Sequence, residues 1–163
     1  MKFEVGDMAV HPARGVGEVI RIESKRIGGQ ESRFYILQIV GSSMTMMVPV
    51  DGVDRAGMRR VISKREASKV IGELKKDEVA VTSQPWNRRH REYTEKLQSG
   101  SPIEVARVLR DISRLRGEKE LSFGERGLLE KARDLLANEL ALAKGVTREK
   151  VLKDFEKALG QPV

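Results

Sequence analysis

The chain has 163 residues, enough for one ordinary domain or two small ones, and its 39% hydrophobic content with only 4% aromatic leaves the core to aliphatic side chains. It has no cysteine, which excludes disulfides, cysteine-ligated zinc and thiol catalysis and fits a reducing compartment. Lys and Arg outnumber Asp and Glu by 31 to 24, and the resulting net charge of +7 attracts polyanions at long range.

The first residues, Met1-Lys2-Phe3-Glu4-Val5-Gly6-Asp7, hold no apolar signal region, and no segment approaches the ~18 consecutive apolar residues of a membrane span. A soluble, cytoplasmic protein without a membrane partner is expected. Residues 1–62 carry a β pattern. A strand over Met8–His11 stops at Pro12, which has no N–H to donate. Further strands are predicted over Gly17–Glu23, Ser32–Val40, Met44–Val50 and Met58–Ile62, with turns at Gly28-Gly29 and Gly41-Ser42-Ser43. Such spacing fits a small, strongly bent antiparallel barrel, with Val16, Val19, Ile20, Ile22, Ile36, Ile39, Val48 and Val50 as core or interface groups. The stretch Met44–Val50 holds three of the six methionines. Alternation puts Met44 and Met46 on one face and Met47 on the other, so at least one faces outward. An exposed, soft strand edge is a place for another protein to add a strand.

From Ser63 the period becomes helical. Ser63-Lys64-Arg65-Glu66 is a capping box that starts a helix running to about Leu74. Asp77 to Ser83 has no helical period and reads as a linker between barrel and helices, with flexibility expected at 75–84. A helix then opens at Pro85 or Trp86 and ends near Gly100. Ser101-Pro102-Ile103-Glu104 starts the next, whose apolar face is Ile103, Ala106, Val108, Leu109, Ile112 and Leu115. Ser122-Phe123-Gly124-Glu125 repeats the box and starts the longest helix, to Gly145. Thr147 caps the last. The expected fold is therefore α+β: a small Tudor/SH3-like antiparallel β-barrel over 1–62, then a compact helical bundle over 63–163.

Catalytic chemistry is hard to find. His11 and His90 are the only histidines, and neither belongs to a metal-spaced cluster or a nucleophile motif. Gly15-Val16-Gly17 lacks the helix and lysine of a phosphate loop. No enzyme activity, metal or cofactor is expected. Basic residues are the better lead. Trp86, the only tryptophan, is followed by Asn87, Arg88, Arg89, His90 and Arg91. Guanidinium groups beside a flat ring suit nucleic acid, the cations meeting phosphate and the ring stacking or wedging between bases. The residues alone also allow Trp86 to cap a small core under a solvated arginine face. Arg107, Arg110 and Arg114 fall at i, i+3 and i+7, one stripe opposite Leu109 and Ile112 that adds to the nucleic-acid reading.

These features together resemble the CarD/CdnL family of bacterial transcription regulators over essentially the whole chain. The likeness is carried by Phe3 to Asp7, Val10-His11-Pro12 with Gly15-Val16-Gly17, and Met47-Val48-Pro49. In the second half it lies in Trp86-Asn87-Arg88-Arg89, Ala106-Arg107-Val108-Leu109-Arg110-Asp111, Leu121 to Arg126, Lys131-Ala132-Arg133 and Glu139 to Ala143. The resemblance implies a Tudor-like domain that docks on the β subunit of RNA polymerase, as does the related module of the transcription-repair coupling factor. It further implies a helical domain that contacts promoter DNA at the upstream edge of the transcription bubble, with Trp86 as a minor-groove wedge. By the same likeness Arg88, Arg89, Arg91, Arg114 and Arg126 lie toward the DNA backbone, and Lys25, Met47 and Pro49 in the polymerase-binding strands. Some relatives carry arginine where this chain has Lys25 and Met47, so a more apolar polymerase contact is expected here. The expected state is a monomer. The alternative is a protein–protein adaptor with no direct DNA contact.

Overall fold

In the computed structural model, which describes residues 1–78 and 85–163, the chain divides into two units, Met1–Val61 and Ile62–Val163. The first is built on β1 (Met8–His11), β2 (Gly15–Ile27), β3 (Gln30–Ile39), β4 (Thr45–Pro49) and β5 (Arg59–Arg60). All neighbours pair antiparallel in the order β4-β3-β2-β1-β5, which leaves one side of β4 as a sheet edge. Gly28 and Gly29 both take positive φ, as the tight turn between β2 and β3 requires.

Alternation along the strands turns Val19, Tyr35, Leu37 and Val48 inward, where they meet Phe3, Ala9, Val53 and Met58. Phe3 also donates its backbone N–H to the Tyr35 hydroxyl at 3.0 Å, tying the segment before β1 to β3. The expected core residues Ile20, Ile22 and Val50 are only half-buried. A bulge between Val19 and Arg21 leaves Ile20 without a cross-strand partner and breaks the alternation there. The bend it adds helps curl this sheet into the Tudor-like form.

The second unit contains α1 (Lys64–Lys75), α2 (Trp86–Leu97), α3 (Pro102–Glu118), α4 (Phe123–Lys144) and α5 (Arg148–Leu159). Hydroxyl caps set the starts. Ser63 and Glu66, and likewise Ser122 and Glu125, form reciprocal capping boxes. Ser101 and Thr147 each accept the N–H three residues on. The core gathers Val70 and Leu74 of α1, Leu109 and Ile112 of α3, Leu136 and Leu140 of α4, and Val151 and Phe155 of α5. Because α1 packs on α3, α4 and α5, it belongs to the bundle. The stretch 77–83 thus joins two helices of one unit and is not a connection between the two units. Residues 79–84 lie outside the described residues. No helix among the described residues is long and apolar enough to cross a membrane.

Candidate functional site

Trp86 is the first residue of α2, directly after Pro85, whose fixed φ suits a helix start. Its ring is half-buried against the helical core, so one part is seated and another meets solvent. The seat is Gly124, the second residue of α4. A Cβ there would stand 3.1 Å from the indole Cζ2, so glycine is what lets the ring lie against the helix. His90, one turn on, meets the ring edge-on at 5.4 Å, and the Arg89 guanidinium lies 5.8 Å from the ring centroid. Gly124→Ala is expected to push the ring outward and shift the emission of this sole tryptophan to the red. Helix content should hold, since alanine gains about 1 kcal/mol in a helix. An unchanged spectrum would show that the ring is not seated there.

The expected DNA-facing arginines divide into two kinds. Arg88, Arg91 and Arg126 are exposed, and Arg88 makes only a 3.3 Å surface pair with Glu92. These three can reach a phosphate. Arg89 and Arg114 are half-buried and already engaged. Arg89 lies between Trp86 and the buried Tyr93. Burial raises the Tyr93 pKa, the Asp111 charge adds to the rise, and Arg89 opposes it. Arg114 donates to the backbone carbonyls of Lys76 and Glu78, so it holds the chain just beyond α1.

The stripe Arg107-Arg110-Arg114 does not form a nucleic-acid face. Arg110 is only 3% exposed. The stripe turns toward α1, where Glu73 accepts from Arg107 at 2.9 Å and from Arg110 at 3.1 Å, with Lys76 at 2.9 Å. Helical spacing placed these arginines on one side correctly; a second helix covers that side. Burial alone would raise the Glu73 pKa, yet the hydrogen bonds from Arg107 and Lys76 outweigh it and hold the group at about 2.

One exposed group escaped the sequence reading. Phe123, first residue of α4 and neighbour of the Gly124 seat, is 88% exposed, the most exposed of the large apolar side chains described. The signal was present: an aromatic residue inside a capping box whose polar positions are already satisfied. His90, Phe123, Gly124 and Lys131 border the same shallow groove between α2 and α4.

In the first unit, Lys25 of β2 and Met47 of β4 come together across β3, with Nζ 3.7 Å from Sδ. Met47 is 44% exposed, while Met46 is turned toward the core. Met44 is exposed too, but it precedes β4, so strand alternation does not apply to it. Pro49 is exposed at the end of β4, opposite Phe34. An apolar edge with one cation beside it results. His11 closes β1, accepting from the Ala13 N–H at 3.2 Å, and burial lowers its pKa. Among the described residues no cluster of histidine and carboxylate side chains could hold a metal.

Each unit matches a known family over most of its length. Residues 3–62 match the CarD-like/TRCF RID domain and residues 69–156 the CarD C-terminal domain. A Bacillus subtilis (strain 168) protein named as a transcription factor, YdeB, is 30% identical over 156 residues, which cover 94% of this chain and 99% of the relative. The structure of CdnLNt from Myxococcus xanthus is 43% identical, covering 39% of this chain and 89% of that one, with a TM-score of 0.34. The fold, the two family models and the Bacillus relative define a two-unit transcription regulator, not an enzyme, with an RID domain followed by a helical domain. On the two family models and the Bacillus relative, the chain belongs to the CarD/CdnL family.

Proposed function

We propose that the first unit binds the RNA polymerase β subunit along the β4 edge, through Lys25, Met47 and Pro49. The second unit then contacts promoter DNA at the upstream edge of the bubble, with Trp86 wedged into the minor groove. The observation that carries this reading is the Trp86 ring itself, seated on Gly124 and flanked by the exposed Arg88 and Arg91. A rigidly backed ring can enter a base step without folding back into its own helix.

Free duplex would be bound weakly. Unstacking a step costs a few kcal/mol, which is low only where DNA is already distorted or melted. Docking on polymerase raises the local concentration, so modest DNA contacts become effective. Binding the open complex better than the closed one shifts that equilibrium by the differential affinity alone, and no energy source is needed. Arg88, Arg91 and Arg126 position the unit on phosphate and read no sequence. Arg89 acts indirectly, holding the ring.

The test is footprinting of polymerase on a promoter with and without the full chain. Added protection at the upstream bubble edge supports the reading; an unchanged DNA pattern with polymerase still bound supports an adaptor instead. On the polymerase side, Met47→Glu is expected to weaken binding of a β-subunit fragment about tenfold. It places a charge in an apolar contact, a change worth roughly 1–3 kcal/mol. Equal affinity, measured by biolayer interferometry, would move the contact away from β4.

A further inference from the structure

At the end of the bundle far from Trp86, an open cleft lies between the C-terminal ends of α1 and α4 and one face of α5. Ile71, Val146 and Ala158 give its lining an apolar part. Around it stand Lys75, Lys144, Lys150 and Lys157, with Asp154 as the one acidic group. Asp154 is already neutralised by Lys144 at 3.1 Å and Lys150 at 2.8 Å. Those hydrogen bonds, the Lys150 one foremost, hold its pKa below the usual carboxylate range. Lys75 and Lys157 are exposed and have no ion-pair partner among the described residues.

Helix electrostatics accounts for part of this charge only. Lys75, Lys144 and Lys157 sit in the last turns of their helices, where a cation is favoured. Three helix ends bring about half a negative charge each, which offsets roughly half of the net positive charge of the cleft. Lys150 is in the first turn of α5, where the dipole disfavours a cation. The ring of lysines therefore exceeds what the helices need.

We infer that this cleft binds an acidic protein segment that carries an apolar anchor. Two observations favour a protein over nucleic acid. Every cation here is lysine, whereas planar, bidentate recognition of phosphate favours arginine, the residue at the Trp86 end. The apolar part of the lining, Ile71, Val146 and Ala158, suits a leucine-like side chain set between carboxylates that meet the lysines. Gly124 and Lys144 are separated by twenty residues of α4, about 30 Å along the helix, so this site and the Trp86 site can be occupied together. The inference does not rest on the wedge.

The experiment uses the full chain and two fluorescein-labelled dodecapeptides, one all glutamate and one with leucine at its fifth and ninth positions, followed by fluorescence anisotropy. The leucine peptide should bind at least about fivefold tighter despite its lower charge. Lys75→Glu with Lys157→Glu should weaken it about tenfold, because two attractions become repulsions. Lys75→Gln with Lys157→Gln should lie between, and Lys2→Glu, an exposed lysine of the first unit, should bind as wild type. Equal binding of the two peptides, or no loss in the double variants, overturns the proposal. So does displacement of the leucine peptide by a 20-base-pair duplex that persists in Trp86→Ala, which would assign the cleft to DNA.

Discussion

Trp86→Ala is expected to shorten the lifetime of the open promoter complex about tenfold and to leave binding of the β-subunit fragment unchanged. Alanine substitution of an aromatic group stacked on a base costs about 1–3 kcal/mol, and about 1.4 kcal/mol is a factor of ten. The loss should fall on dissociation of the open complex, because that is the state in which the proposed wedge acts. Part of the ring packs on the helical core, so the substitution also destabilises the second unit. Trp86→Phe separates the two effects. It restores most of the buried area but presents a smaller wedge, so stability should recover further than lifetime. Dissociation measured after competitor challenge, well below both melting temperatures, is the readout. A lifetime equal to wild type in the alanine variant would remove the wedge role.

Glu73→Ala is expected to destabilise the helical unit by about 3–5 kcal/mol, the usual cost of removing one partner of a buried ion pair. Arg110 would be left buried and facing a void, with Glu78 at 3.3 Å and Asp111 at 3.3 Å as its remaining acidic neighbours. The emission of Trp86 reports this unit alone, because the first unit has no tryptophan. The same site gives a pH dependence of definite sign. The folded pKa of Glu73 is held at about 2, below its ordinary 4.5. Its contribution is therefore complete above pH 4.5 and is lost as the pH falls toward 2. The amount is on the order of 3 kcal/mol by linkage. Urea midpoints of wild type should fall between pH 5 and pH 2, while those of Glu73→Gln should fall less. Parallel profiles would show that other carboxylates dominate acid unfolding.

This network also bears on the proposed DNA site. Arg110 and Arg114 bind the chain at Glu73, Lys76 and Glu78, immediately before residues 79–84 and the start of α2. Arginines that look like a DNA face in one dimension thus serve to hold the segment leading to Trp86. Substituting Arg114 would release the Lys76 and Glu78 carbonyls it holds, and would thereby act on the proposed DNA contact indirectly.

Local chemistry determined much of this protein without reference to the fold. Ser63, Ser101, Ser122 and Thr147 mark helix starts because a hydroxyl can satisfy a free N–H within its own turn. Pro12 marks a strand end because it has no N–H to donate, and Gly28-Gly29 a turn because glycine readily takes the positive φ a tight turn requires. The family likeness, and with it the expectation for Trp86, was likewise carried by residues near one another in sequence. Tertiary structure decided what covers each face. A period of 3.6 places Arg107, Arg110 and Arg114 on one side of α3, but only the packing of α1 and the carboxylate of Glu73 turn that side inward. In the same way, only the approach of α4 seats Trp86 on Gly124 and leaves Phe123 in solvent. Burial is a property of two surfaces meeting, and a single strand or helix specifies one of them.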